Sequence, residues 1–177
     1  MGHIHLLVSD IDAQKKLWVG ALGATVVKAG PMEFYQFPGV QVALRKGTPS
    51  AGNAGSVVDH LGFKVKDLDE TKAKLTAGGA TVASENPATR QMFILFPDAI
   101  KIEFTEDKTL AQPVVHHHIH FATPQIEEQR AWYAKMFGSS IALDAIVNTA
   151  KLTAGSLLFA LPSGLALAFL TVRTDLP

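Results

Sequence analysis

The sequence contains no cysteine and no surplus of either charge. Its 177 residues include 16 Lys and Arg against 16 Asp and Glu. Without thiols there can be no disulfide framework, no cysteine nucleophile and no thiolate metal site, so any metal must be bound by His, Asp or Glu. Because a basic surplus is absent, the composition does not favour binding to nucleic acid or to an acidic membrane surface.

Signals for export or membrane insertion are also lacking. The first ten residues contain neither the basic region nor the apolar run of a secretory signal, which favours a cytoplasmic protein. The stretch 154–172 is long and apolar enough to suggest a membrane span. However, Pro162 and Gly164 lie near its middle and favour a turn between two strands. We therefore expect no membrane-spanning segment.

An internal repeat organises the sequence. His3 and Asp10 recur as His60 and Asp67, with an offset of 57 residues. A third copy begins at His118, and its alignment to the first copy keeps one offset over four positions. Those pairs, each 115 residues apart, are His3 and His118, Asp10 and Gln125, Trp18 and Tyr133, and Gly23 and Gly138. Because a fixed period marks repeated structural units, we expect three copies of one unit.

Each copy has the pattern of a βαβββ unit. An alternating apolar run predicts a first strand, a polar cap and helical spacing predict a helix, and glycine ends that helix. The last two strand-like runs flank a turn that contains proline. These hairpins are expected at 33–37 with 40–44, 91–96 with 100–105, and 156–161 with 165–170. Segments 47–56 and 106–113 are typical of linkers.

The repeat predicts an α+β fold with two domains. A unit of about fifty residues cannot bury its sheet alone, so units should pair. We expect the first two to form one cupped mixed sheet within residues 1–110. Residues 111–177 would form a third unit, a half-domain that is completed by a partner chain or truncated. Because its apolar strands would otherwise be exposed, we expect a homodimer.

Three residues form a candidate metal site. His3 and His60 open equivalent strands, and Glu103 lies between apolar residues on the last strand of the second copy. If the two first strands are neighbours, these side chains meet, with Ala43 and Ala168 at the positions equivalent to Glu103. Two imidazoles and one carboxylate make a facial metal triad with open coordination positions. Taken singly, each residue is better explained as a hydrogen-bonded or surface residue, and His3 lies close to the terminus. Taken together, two repeat-equivalent histidines and one unmatched glutamate favour a metal site.

A second group of histidines has no assigned role. His116, His117, His118 and His120 lie together on the first strand of the third copy, without a carboxylate equivalent to Glu103. The group is consistent with an interface or with adventitious metal binding, and these two interpretations are favoured over a functional site.

Other conspicuous side chains favour structural roles. Trp18, Trp132 and Tyr133 occupy helix positions that should pack on a sheet. The cationic residues Arg45, Lys46 and Arg90 favour solvated surface over contact with an anionic substrate.

Two motifs resemble the vicinal oxygen chelate superfamily, which includes glyoxalase I, bleomycin- and fosfomycin-resistance proteins and extradiol dioxygenases. They are Asp59-His60-Leu-Gly-Phe63 and the run Pro97-Asp98 that leads to Glu103. The resemblance covers residues 3–107, and 114–172 as a further half-domain. It implies a divalent ion bound by His3, His60 and Glu103, with Fe, Mn, Ni, Zn and Co not distinguished. Oxygens of a small substrate would chelate that ion, with Glu103 acting in catalysis.

The resemblance leaves two functions open. The first is a metal-dependent lyase, isomerase or dioxygenase acting on a small oxygen-rich molecule. Ala43 stands where glyoxalase I has a second carboxylate, and the cationic set of fosfomycin transferases is not found, so the reaction stays open. The alternative is a metal-free, small-molecule binding module of the bleomycin-resistance type, favoured by the apolar strands and by alanine at two of the three carboxylate positions.

Overall fold

The computed structural model describes residues 2–30 and 32–137. The chain divides into two compact units, Met1–Thr123 and Pro124–Pro177. The strands of the first unit are β1 (Gly2–Val8), β2 (Thr25–Ala29), β3 (Met32–Phe37), β4 (Val40–Lys46), β5 (Val58–Val65), β6 (Thr81–Asn86), β7 (Gln91–Phe96), β8 (Ile100–Glu106) and β9 (Val114–Phe121). Its helices are α1 (Ile11–Lys15) and α2 (Leu68–Ala77), and the second unit contains α3 (Ile126–Phe137). The hairpin expected at 156–170 and the apolar stretch 154–172 lie outside the described residues.

The strands of the first unit form two mixed sheets, with the orders β1-β4-β3-β2 and β6-β7-β8-β5-β9. In each of the first two copies, the first strand runs parallel to the last, and the others pair antiparallel. This is the arrangement of a βαβββ unit, so the predicted α+β fold is confirmed. The expected hairpins of the first two copies are β3–β4 and β7–β8.

The neighbour of β5 differs from the one we expected. We expected β1 to lie beside β5. Instead, β9, which is the first strand of the third copy, pairs antiparallel with β5 along its whole length. Lys66 donates its backbone N–H to the carbonyl of Pro113 and so ties the start of β9 to the end of β5. Buried Val114 packs at the same end. The predicted third unit therefore has its first strand inside the first compact unit.

Both helices of the first unit begin at an aspartate cap, as the sequence indicates. The carboxylate of Asp10 accepts from the N–H of Ala13, and Asp67 accepts from Glu70. After α1 the chain continues as a π-helical segment, Lys16–Ala21, which no sequence feature predicts. No helix within the described ranges combines the length and the apolar character that crossing a membrane requires.

The core of the first unit lies around Trp18. This indole is fully buried, and its ring centroid lies 6.1 Å from Phe37, 5.9 Å from Phe63 and 4.9 Å from Phe96. Because Phe37 belongs to one sheet and the other two to the second, Trp18 packs the sheets together. By contrast, Trp132 on α3 is 52% exposed, so the core role predicted for it is wrong.

A buried glutamine completes the polar side of this core. Trp18 donates its indole N–H to Oε1 of Gln14 at 3.1 Å, and Gln14 donates from Nε2 to the carbonyl of Pro97 at 2.8 Å. Gln14 thereby connects the first helix with the turn that precedes β8, and both of its polar atoms have partners.

The first predicted linker is anchored to β8. Asn53 donates from Nδ2 to the carbonyl of Lys101 at 3.1 Å and accepts from the N–H of Lys101 at 2.6 Å. Gly52 packs so closely that a Cβ there would overlap the carbonyl of Ala99. Asn53 therefore pairs with β8 as a neighbouring strand would, next to the segment that carries Glu103.

Candidate metal centre

His60 and Glu103 form the centre of the site. They lie on the parallel neighbours β5 and β8, and Nε2 of His60 is 2.8 Å from Oε2 of Glu103. Both residues are buried, with exposures of 4% and 7%. Burying a carboxylate is unfavourable unless partners compensate it, so this pair indicates a site with a specific purpose.

A second carboxylate lies on the opposite side of the same imidazole. Oδ1 of Asp59 is 2.7 Å from Nδ1 of His60 and 2.6 Å from Nζ of Lys101, and the N–H of Gly55 donates to Oδ2 at 2.8 Å. The hydrogen bond from His60, followed by those from Lys101 and Gly55, holds the pKa of Asp59 well below its ordinary value. Asp59 is therefore a stable anion beside His60.

A neutral His60 has one proton for two carboxylate contacts, and a bound cation could take the place of the missing proton. A neutral imidazole carries one N–H, yet both ring nitrogens of His60 face carboxylate oxygens at hydrogen-bond distance. One contact lacks a proton unless the ring is doubly protonated or a cation replaces the proton on Nε2. Metal-bound histidines typically have their second N–H donating to a carboxylate, which is the position of Asp59. The donor set around Nε2 therefore fits a divalent ion.

A third donor comes from β9. Nε2 of His118 lies 3.3 Å from Oε2 of Glu103. The ring of His120 stacks on His60 with centroids 4.5 Å apart and planes 21° apart. His60, His118 and His120 present nitrogens that all lie within 4.8 Å of one another. Burial is the main cause that lowers the pKa of His118, which favours its uncharged form.

The remaining oxygen of Glu103 is held by an amide. Gln91 donates from Nε2 to Oε1 at 2.7 Å. Burial alone would raise the pKa of Glu103, but the hydrogen bond from Gln91 and the interactions with His118 and His60 outweigh it and lower the pKa. Glu103 is therefore an oriented carboxylate anion with Oε2 directed to the histidines.

An aromatic wall borders the site. The ring of Phe93 meets His60 edge to face at a centroid distance of 5.2 Å, and Nζ of Lys101 lies 4.8 Å above the same ring. Lys101 thus contacts both Phe93 and Asp59, and it places a positive charge beside the candidate ligands.

His3 lies elsewhere. It is exposed on β1, where its ring contacts His5 at 4.8 Å and Phe34 at 6.5 Å. Among the described residues, His3 belongs to no cluster of three potential metal ligands. The register pairs His5 with buried Ala43, just as Gly62 pairs with Glu103, which agrees with the repeat alignment. The structure thus brings together His60 and Glu103 but not His3, and the complete ligand set stays a prediction.

Three contributors had no role assigned from the sequence. Asp59 precedes His60 in the motif, but nothing in the sequence indicated that its side chain turns back to the imidazole. Gln91 lies across the β7–β8 hairpin from Glu103 and carried no motif. A signal for His118 was present, because Gly62 stands where the first copy has His5 and leaves room above the strand.

A second acidic cluster is occupied by an arginine. Asp67, Asp69 and Glu106 bring carboxylate oxygens within 4.8 Å of one another. Arg90 donates to Asp69 at 2.8 Å and to Glu106 at 2.6 Å, which raises the pKa of its guanidinium. This cluster is therefore an ion-pair network, and Arg90 is neither a simple solvated residue nor directed at a substrate.

Comparisons place the chain in a family. A family model described as the Glyoxalase/Bleomycin resistance protein/Dioxygenase superfamily matches residues 2–96. No curated protein matches the chain.

Solved structures share the fold. A glyoxalase/bleomycin resistance protein from Albidiferax ferrireducens T118 is 25% identical over 60% of this chain and 98% of its own, with a TM-score of 0.49. The fosfomycin resistance protein FosX from Mesorhizobium loti is 20% identical over 62% and 92%, with a TM-score of 0.52. A mutant FosX from Listeria monocytogenes, complexed with Mn(II) and 1S,2S-dihydroxypropylphosphonic acid, is 18% identical over 59% and 87%, with a TM-score of 0.50. Since the family match spans more than half of the sequence, the chain belongs to the glyoxalase/bleomycin resistance protein/dioxygenase superfamily, as the vicinal oxygen chelate resemblance indicated.

Proposed function

We propose that this protein is a metal-dependent enzyme that binds one divalent ion through His60, Glu103 and a further imidazole. The observation that carries the proposal is His60, a buried imidazole between two carboxylates, Asp59 and Glu103. An ion on the Nε2 side would take the place of a proton and satisfy both carboxylates at once. From the sequence, His3 is the candidate for the further imidazole.

The residues of the site have separable tasks in this proposal. The ion would act as a Lewis acid that stabilises an oxyanion developing on the substrate. Asp59 fixes the tautomer and orientation of His60, and Gln91 directs Oε2 of Glu103. Lys101 adds positive charge that favours a substrate bearing oxygen anions, while Phe93 forms an apolar wall.

The substrate class that fits best is a small molecule with adjacent oxygens. The mutant FosX from Listeria monocytogenes binds Mn(II) together with a dihydroxypropylphosphonic acid, and we extend chelation by neighbouring oxygens to this chain. The superfamily resemblance implies such chelation for lyase, isomerase or dioxygenase chemistry. Ala43 occupies the position equivalent to Glu103, so an isomerisation that needs a second carboxylate there is disfavoured.

The open edge of β1 supports the proposed homodimer. Within the described ranges β1 pairs only with β4, whereas the equivalent strand β5 has a further antiparallel neighbour. Residues 2–8 contain no Lys, Arg, Asp, Glu or Pro, the devices that usually protect an edge. Antiparallel pairing of β1 with β1 of a second copy is self-complementary about a two-fold axis.

Metal titration tests the proposed function. Untagged protein, stripped with chelator, is titrated with Mn(II), Fe(II), Co(II), Ni(II) and Zn(II), and bound metal is counted by elemental analysis. We expect about one ion per chain, lost in Glu103→Gln. Glu85→Gln is the matched control, because Glu85 lies on β6, an outer strand of the same sheet, and pairs with Lys72 of α2. If none of the five ions binds, the metal-free binding module becomes the supported function.

A further inference from the structure

We infer that the third ligand of this site is His118, so that the third copy of the repeat completes a metal centre begun by the second copy. The inference rests on the proposed function, because it presupposes an ion at His60 and Glu103. It differs from the expectation based on sequence, in which His3 of the first copy supplies the imidazole.

The spacing of the donor atoms supports His118. Oε2 of Glu103 lies 2.8 Å from Nε2 of His60 and 3.3 Å from Nε2 of His118. Adjacent ligands of an octahedral ion with bonds of about 2.1 Å are about 3.0 Å apart. The two imidazoles therefore flank one carboxylate oxygen at a separation that matches neighbouring positions on one ion.

A glycine makes room for the imidazole of His118. Gly62 is paired with His118 in the register of β5 and β9. A Cβ at position 62 would overlap three atoms of the ring, Cε1, Nδ1 and Nε2. The backbone of Gly62 is not in the left-handed region, so the turn geometry does not demand glycine here. Glycine at position 62 is therefore explained by the close approach of the His118 ring, which lies over β5 beside Glu103.

The second nitrogen of His118 is also accounted for. An imidazole that binds an ion through Nε2 keeps its proton on Nδ1. Nδ1 of His118 lies 2.8 Å from Nδ1 of His117, to which it would donate, and Nε2 of His118 faces Glu103. His120 lies on the same strand as His118, and its ring packs against the face of the His60 ring and restrains it. β9 therefore contributes one ligand and one restraint, whereas the ring contacts of exposed His3 with other described residues are with His5 and Phe34.

Variants at three histidines and at Gly62 test the assignment, with Mn(II) as the probe. By calorimetry on the full chain, we expect His118→Ala to lose more than about 100-fold in affinity, which exceeds the usual effect of a residue outside the ligand set. His3→Ala should change affinity by less than about 2-fold, and His5→Ala is its matched control on the same strand. Gly62→Ala should weaken binding by about 10- to 100-fold, because the methyl group displaces the His118 ring.

The outcomes separate the inference from the proposed function. If His3→Ala abolishes binding while His118→Ala retains it, the inference is overturned and the metal site at His60 and Glu103 stands. If His60→Ala and Glu103→Gln also retain full binding, the proposed function itself fails.

A measurement on the unmodified protein covers the case in which a variant does not fold. With 15N-labelled histidine, adding Zn(II) should shift the Nε2 resonance of His118 and leave that of His3 in place. The reverse pattern would overturn the assignment.

Discussion

Oδ1 of Asp59 lies 2.7 Å from Nδ1 of His60, on the side of the ring opposite Glu103. Adjacent residues on a strand normally point to opposite faces, so this contact needs the side chain of Asp59 to turn back along β5. Lys101 and the N–H of Gly55 hold the carboxylate in that position. The orientation of His60 is thus fixed by residues that need not touch the ion.

Replacing this carboxylate should weaken metal binding without abolishing it. We expect Asp59→Asn to lower Mn(II) affinity by about 10- to 100-fold, because the amide orients the imidazole less firmly and makes it a weaker ligand. Isothermal titration of the full chain measures the effect. Asp12→Asn, at an exposed position of α1, is the control that should leave affinity unchanged. Equal affinities in both variants would contradict the role of Asp59.

Gln14 should be essential for stability although it is polar. Gln14→Ala leaves the indole N–H of Trp18 and the carbonyl of Pro97 without partners and opens a cavity, so we expect a loss of about 2–4 kcal/mol in the free energy of unfolding. Gln41→Ala, at a partly exposed glutamine, should cost less than about 1 kcal/mol. Urea denaturation of both variants provides the comparison, and similar losses would argue against a special role for Gln14.

The repeat made most of the fold predictable, because strand alternation, helix caps and turn glycines are local signals. The hairpins β3–β4 and β7–β8 and the caps Asp10 and Asp67 can be inferred from a few adjacent residues. The π-helical segment after α1 could not be inferred in this way. In this segment the N–H of Leu22 donates to the carbonyl of Leu17. Because Leu17 and Trp18 are both buried, the segment depends on tertiary packing, which adjacent residues in the sequence do not reveal.

The site was predictable only where it depended on one repeat unit. His60 and Glu103 lie on strands that the βαβββ pattern places side by side, and they meet as expected. The choice of a third imidazole depends instead on which strand joins the free edge of β5, and repeat symmetry offers β1 and β9 equally. The space above Gly62, where the second and third copies of the repeat touch, distinguishes them.

Acid should destabilise the protein through Glu106. Arg90, followed by the N–H of Leu68, lowers the pKa of Glu106 from 4.5 to about 2. A depressed carboxylate pKa contributes stability that is present above the unfolded value and is lost as pH falls through the folded value. We therefore expect the melting temperature to fall as the pH drops from about 4.5 to about 2, as scanning fluorimetry in a pH series will show.

Glu106→Gln separates this contribution from the others. The variant should melt at a lower temperature near neutral pH and show a smaller fall on acidification. The fall should not vanish, because Asp107, held by Thr109 and Lys64, also has a pKa of about 2. An acid profile identical to that of the unmodified protein would show that the ion pair with Arg90 does not contribute.

A charge on β1 should dissociate the proposed dimer. Leu7 is 48% exposed on this strand, and Leu7→Lys would place a charge on the edge that each copy contributes to a β1–β1 pairing. Analytical ultracentrifugation should show a dimer for the unmodified chain and a monomer for the variant. Met32→Lys is the matched control at a 50% exposed residue of β3. If the unmodified chain sediments as a monomer, the pairing is refuted.

The anchoring of the first linker restricts how two copies could assemble. Exchange of whole repeat units between chains, known as domain swapping, requires a connecting segment that opens as a hinge. Here Asn53 forms two hydrogen bonds with the backbone of Lys101, and Gly52 packs on Ala99, so opening would break both contacts. These contacts oppose an exchange in which the first and second copies separate at this linker, so the proposed metal site at His60 and Glu103 would be built within one chain.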